Sequence, residues 1–168
     1  MNVNTISHFW QLKAFLPGMI ERRKGHVTSI ASIAGSFGVR GLCDYCASKF
    51  GAVGICESLR HEMRINYPFI TTTLIQPYYL TGTDLFKGIQ SPIIPLVDAQ
   101  WMANRTVEAT LRGEENVKAP FITWLAQALR LSPVTWMDRV GDILGTTKTM
   151  ESFHGRDAAA PAAAAAKK

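Results

Sequence analysis

Apolar residues recur at helical spacing along residues 5–22, at Ile6, Phe9, Trp10, Leu12, Phe15, Leu16, Met19 and Ile20, so the pattern predicts a helix bent by Pro17. After a turn at Gly25, residues 26–32 (HVTSIAS) read as a short strand. Residues 43–66 predict a long helix offering Ala47, Phe50, Val53, Cys56 and Leu59 to a core. Its small residues Ala47, Ser48, Gly51, Ala52 and Gly54 let another backbone come close. FITTTLI at 69–75, rich in β-branched residues and bounded by Pro68 and Pro77, has the pattern of a strand buried on both faces of a parallel sheet. Residues 98–112 form a further helix, capped by Asp98 and stopped by Gly113. Two short amphipathic helices, split by Pro133, follow. Helices alternating with parallel strands give an α/β domain built on a doubly wound parallel sheet. The expected divisions are that domain over 1–118, amphipathic helices over 119–156, and a disordered Ala-rich tail over 157–168.

Composition narrows the classes. With 168 residues, 47% hydrophobic and 18% charged, the chain has the makeup of one globular domain. The net charge of +5 is scattered except at Arg22-Arg23-Lys24, placed to offset a helix macrodipole. No aromatics interleave with a basic stripe, which argues against a nucleic-acid partner. Three cysteines make no disulfide framework and point to an intracellular, reducing compartment. Cys43 and Cys46 form C-x-x-C without a second ligand pair, and His8, His26, His61 and His154 lack metal-ligand spacing, so no metal is expected. Ser32 sits in no G-x-S-x-G elbow. The chain opens on no signal peptide, and no run of eighteen apolar residues crosses a bilayer.

The candidate chemistry lies between Ser32 and Lys49. Tyr45 and Lys49 are four apart, one turn along a helix face. A phenol ionises near pH ~10, and using it as an acid/base at neutrality requires about 4 kcal/mol. An ammonium at ~4 Å and an effective dielectric of ~20 supplies about that. Ser32, at the carboxyl end of the preceding strand, is placed to hold the oxygen that Tyr45 protonates or deprotonates.

The wider text resembles the short-chain dehydrogenase/reductases from Asn4 to about Phe86, and more loosely to Arg156. The matching blocks are VN followed by HFW and KAFLPGM, GHVTSIASIAG, YCASKFGAVGICESLRHE and IQPYYLTGT, closest to the retinol and 17β-hydroxysteroid dehydrogenase branch. The resemblance implies the carboxyl-terminal part of a doubly wound parallel-sheet (Rossmann-type) domain, and an NAD- or NADP-dependent oxidoreductase acting on a lipophilic alcohol or carbonyl. Asn4, Ser32, Tyr45 and Lys49 then form the catalytic set. Tyr45 and Lys49 also meet the cofactor, together with Pro77, Leu80 and Thr81 or Thr83; tyrosine stands where the family has glycine after Pro77. Asn4, otherwise a helix cap, helps hold a water beside the lysine. The loop with Pro92 and Pro95 becomes a substrate lid, and a homodimer forms through residues 5–22 and 43–66.

The glycines of GSFGVRG are spaced G-x-x-G-x-x-G, which reads as an active-site loop rather than a dinucleotide fingerprint. The first βαβ unit of such a fold, with its pyrophosphate turn, is not in these residues, so a truncated, non-catalytic interaction module is the alternative function. Residues 119–144, with Trp124, Leu125, Leu129, Leu131 and Trp136 interrupted by Arg130 and Arg139, fit either core helices or a segment lying on a membrane or lipid droplet, as on the cytoplasmic face of the endoplasmic reticulum.

Overall fold

The structure, a computed structural model, describes residues 1–83, 85–86, 88–151 and 153, with Ala126 and Leu129 described by backbone alone. The Ala-rich tail and His154 lie outside the described residues.

The eight-residue strand β2 (Ile70–Pro77) is the middle of the sheet, and all but Thr71 is buried. Parallel neighbours flank it: β1 (Gly25–Ile30) in register Gly25↔Ile70 to Ile30↔Ile75, and β5 (Asn116–Ala119) in register Leu74↔Asn116 to Pro77↔Ala119. Two two-residue strands, β3 (Leu80–Thr81) and β4 (Val97–Asp98), pair beside this sheet. Because side chains alternate along a strand, Leu74 and Ile75 serve opposite layers. Leu74 packs with Ala31 and with Ala52, Val53 and Cys56 of α2 (Cys43–Asn66). Ile75 packs with Val117 and with Met102 and Ala109 of α3 (Ala99–Arg112). Each such apolar side chain removed from water is worth about 1.5–3 kcal/mol.

Helix α1 (Ser7–Glu21) has no buried residue, though Leu12, Leu16, Met19 and Ile20 lie against Leu59, Met63 and Ile70. It is preceded by a π-helical turn, Asn2–Ile6, capped by Met1. Asp98 caps α3 by accepting from the Trp101 amide at 2.7 Å, and Gly113 ends it at φ 67°, as expected. On the α3 side of β1, His26 bridges two residues of β2: Nδ1 lies 2.7 Å from Thr71 Oγ1 and Nε2 lies 2.9 Å from Thr73 Oγ1. Thr73 Oγ1 in turn donates to the Glu114 carbonyl at 2.7 Å. After β5 come α4 (Ile122–Leu129) and α5 (Val134–Ile143). No helix among the described residues is long and apolar enough to cross a membrane.

Three expectations need correction, and one strand was missed. The first strand ends at Ile30, and Ser32 instead caps a single 3₁₀ turn, Ile33–Gly35. Asn4 caps no helix, because its side chain reaches across to α2. Ala47 is exposed and Ser48 buried, a reversal of their hydropathy explained by the hydrogen bonds of Ser48. Finally, β5 went unread in the sequence.

Two glycines of α2 separate packing from propensity. A Cβ at Gly51 would stand 2.7 Å from Thr5 Cγ2, whereas one at Gly54 meets nothing within 4 Å. Urea denaturation should show Gly54→Ala stabilising by up to about 1 kcal/mol and Gly51→Ala destabilising by about 1–3 kcal/mol. Equal effects at the two sites would contradict the close approach of the first turn to α2.

Candidate active site

Ser32 and α2 come together because the backbone between them is free of bulk. A Cβ on Gly35 would stand 2.6 Å from the Lys49 carbonyl and 2.7 Å from Val53 Cγ2, so the 3₁₀ turn lies directly on the helix. The Ser32 hydroxyl accepts from the Ala34 amide at 3.2 Å and donates to the Pro77 carbonyl at 3.5 Å. Burial pushes the Tyr45 phenol above its ordinary pKa, and hydrogen bonding by the Ser32 side chain pulls it the other way. Lys49 is held below its ordinary pKa by burial; its Nζ lies 5.7 Å from the centre of the Tyr45 ring and donates to the Ile30 carbonyl at 3.4 Å. The lowering of Tyr45 expected from Lys49 is therefore not the balance in this arrangement, where burial outweighs the neighbours.

Asn4 joins the group through a residue the sequence reading passed over. Its Nδ2 donates to Ser48 Oγ at 3.1 Å, and Ser48 Oγ donates to the Tyr45 carbonyl at 2.7 Å. Thr5 Oγ1 adds a bond to the Ser48 carbonyl at 2.8 Å. Ser48 was legible only as a small residue next to Lys49. One turn beyond Asn4, His8 is held below its ordinary pKa by burial first and by the charge of Lys49 second. Its Nδ1 is buried without a hydrogen-bond partner among the described residues.

The remaining expected residues stand at the carboxyl end of β2. Pro77 closes the strand and meets Ser32, and Leu80 packs against the Ile75 cluster. Thr81 Oγ1 donates to the Val97 carbonyl and Thr83 Oγ1 to the Leu80 carbonyl, each at 3.4 Å, so the geometry treats the two threonines alike.

A chain of aromatic rings leads away from the phenol through Phe86. Phe86 meets the Tyr45 ring edge-on at 5.5 Å, Tyr79 meets Phe86 at 5.1 Å, and Phe153 lies 6.0 Å from Phe86. The Tyr79 hydroxyl points at Met150 Sδ, 3.8 Å away. None of these rings carried a sequence signal, because loop aromatics have no period. Burial raises Tyr78 as well, and pushes Tyr79 up to about 12.

A raised phenol pKa means the folded state prefers the neutral ring. Its contribution to stability is complete below the ordinary value near ~10 and is lost as pH rises through the folded value. Absorbance at 295 nm should therefore show Tyr45, Tyr78 and Tyr79 ionising above pH ~10, with circular dichroism falling between there and the Tyr79 value of about 12. Tyr79→Phe should move that loss upward. Unchanged ellipticity while the three phenols titrate at the ordinary value would contradict their burial.

Residues 1–93 match the family model described as short chain dehydrogenase. The chain is similar to retinol dehydrogenase 10 of Homo sapiens, 37% identical over 163 residues, covering 91% of this chain and 47% of the relative. It is also similar to short-chain dehydrogenase/reductase family 16C member 6 of Bos taurus, 34% identical over 160 residues, covering 92% and 50%. The chain thus spans about half the length of the curated relatives it matches. Among solved structures, it shares its fold with a short chain dehydrogenase/reductase from Burkholderia phymatum in complex with NAD, at TM-score 0.63, 18% identity and coverage of 77% and 55%. A short chain dehydrogenase from Burkholderia cenocepacia in complex with NADP aligns at TM-score 0.65, 17% identity and coverage of 84% and 56%.

Proposed function

Because the chain belongs to the short-chain dehydrogenase family, we propose that it carries the acid/base centre of an NAD(P)-dependent oxidoreductase interconverting a lipophilic alcohol and its ketone or aldehyde. The supporting observation is the convergence of the Ser32 hydroxyl, the Tyr45 phenol and the Lys49 ammonium where the 3₁₀ turn lies on α2. Tyr45 Oη gives its proton to a carbonyl oxygen or takes one from a carbinol, and the Ser32 hydroxyl holds that same oxygen. Lys49 favours the phenolate when the proton leaves. Asn4 keeps this turn of the helix in place through Ser48.

The donor set fits a nicotinamide ribose. The Lys49 ammonium makes one long bond among the described residues, to the Ile30 carbonyl, and has three N–H donors to offer vicinal hydroxyls. Tyr45, Pro77, Leu80, Thr81 and Thr83 would complete the contact with NAD or NADP. The bound nicotinamide supplies the hydride acceptor or donor. Phe86, Tyr79, Phe153 and Met150 favour an apolar substrate, and the name of the retinol dehydrogenase relatives supports a retinoid- or steroid-like alcohol. The assembled site favours this reading over a non-catalytic module.

Tyr45→Phe, made in the full-length protein, removes one hydroxyl and no packing volume. Turnover should fall by at least ~10²-fold while the melting temperature holds. Turnover within about tenfold of the parent would sink the acid/base assignment.

A second reading concerns where the protein works. Helices α4 and α5 and their junction expose Phe121, Leu125, Leu131, Trp136 and Ile143, each two-thirds or more accessible. Three or four such side chains, at about 1.5–3 kcal/mol each, suffice for peripheral attachment to the cytoplasmic face of the endoplasmic reticulum or a lipid droplet, with Arg139 toward anionic head groups. Trp124 is less suited to this role, since Lys118 Nζ covers its ring at 4.5 Å. A groove of about 570 Å³ between α1 and α2, lined by Phe9, Leu12, Leu16, Ile20 and Ile55, suits a second copy of the chain. The protein should sediment with anionic phospholipid vesicles, and Leu125→Glu with Leu131→Glu should release it by at least about tenfold. Protein that stays in the supernatant at every lipid composition would return these helices to a purely structural role.

A further inference from the structure

Between the 3₁₀ turn and α2 the chain runs without regular structure, yet Ser32 must be held still at its start. The later part of this loop is held by the Val39 amide on Cys46 Sγ and the Arg40–Glu151 ion pair, and its first residue, Ser36, is tied to β2, β5 and α4. Ser36 Oγ donates to Gln76 Oε1 on β2 at 2.6 Å, and Gln76 Nε2 donates to Asn116 Oδ1 on β5 at 3.1 Å. Ser36 is 4% exposed and Gln76 0%, so this polar bridge is buried and paired at both ends. The Ser36 carbonyl is taken by Arg130, at the end of α4, whose Nη1 donates to it at 2.7 Å. The same guanidinium lies 5.4 Å from the centre of the Phe50 ring, and Phe50 follows Lys49 on α2. Phe50 itself packs on Ala34, Leu42 and Cys46, so the arginine grips the loop and the helix at their common seam.

Arg130 is thus a remote side chain, ninety-four positions from Ser36, that touches both elements between which the reactive groups are set. A guanidinium can do this because its edge donates while its flat face rests on a ring; an ammonium offers a point charge without the plane. We propose that Arg130 is a positioning residue, through which α4 sets the placement of the Ser32 loop against Tyr45 and Lys49. This rests on the reading that Ser32 and Tyr45 handle the substrate's proton, and it adds the control of that pair from outside the sheet. Whatever moves α4, including attachment of its apolar face to lipid, then reaches the site through one side chain.

The test uses the full-length protein with Arg130→Met, which keeps the length of the stem and loses the donors, and Arg130→Lys, which restores a donor without the plane. Amide hydrogen exchange at Gly35, Ser36 and Phe37, whose amides bond to the Ser32 and Ile33 carbonyls, should quicken about tenfold or more in Arg130→Met. The kcat should fall roughly ten- to hundredfold with cofactor Kd unchanged, since misplacement of a reacting group is costly on that scale. The basic limb of the kcat profile should move upward as Tyr45 loses the influence of Ser32, and Arg130→Lys should recover part of each effect. Exchange at parental rates in Arg130→Met, or a basic limb that stays in place while kcat falls, would overturn the proposal. The exchange measurement needs no turnover. A Tyr45→Phe protein of parental activity would defeat the proton reading and leave the Arg130 tether to be judged by exchange alone.

Discussion

The site depends on how closely two stretches of backbone approach. At Gly35 the 3₁₀ turn stands so near α2 that any side chain would have to enter the space of the Lys49 carbonyl. This contact brings a serine that lies beyond the end of β1 within reach of a tyrosine on the next helix. The other restraints on the loop refine the same approach: the Ser36–Gln76–Asn116 bridge holds it from the sheet, and Arg130 holds it from the last helices. The first turn adds support from the opposite side, where Asn4 and Thr5 bind Ser48.

Burial at this junction acts on Tyr45 and Lys49 in a common sense. Desolvation favours the uncharged form of each, raising the phenol and lowering the ammonium. Burial thus works against charge on both side chains at once.

The long elements were legible because their periods are long. The Tyr45–Lys49 spacing gives a shared face on any helix, and Asp98 and Gly113 mark the ends of α3 wherever it packs. The failures have physical causes. β5 is four residues, Asn116–Ala119, with two polar side chains whose burial is made tolerable by partners from elsewhere: Gln76 for Asn116, Trp124 for Lys118. Hydropathy sees the charge of Lys118 and not the ring above it. Ser48 is buried for the same kind of reason, and Phe86 reaches Tyr45 from a loop that no period describes. Ser36, Gln76 and Arg130 are scattered along the sequence and meet only once the sheet is folded. The cap reading of Asn4 failed because the π-helical turn already begins at Asn2 and the Asn4 side chain reaches across to Ser48.

The bridge made by His26 has a direction. Thr73 spends its only hydroxyl proton on the Glu114 carbonyl, so its oxygen must accept from His26, which places the ring proton on Nε2. Nδ1 is then a lone pair, and Thr71 is the donor to it. The sheet thus selects one tautomer of a neutral imidazole, in keeping with the lowering of its pKa by burial. Protons run in a single file from Thr71 through His26 and Thr73 to the backbone at the end of α3. A second ring proton has no lone pair to meet unless the Thr71 hydroxyl turns round, so this corner of the sheet is a polarised chain that reads acid as a reversal of its first link.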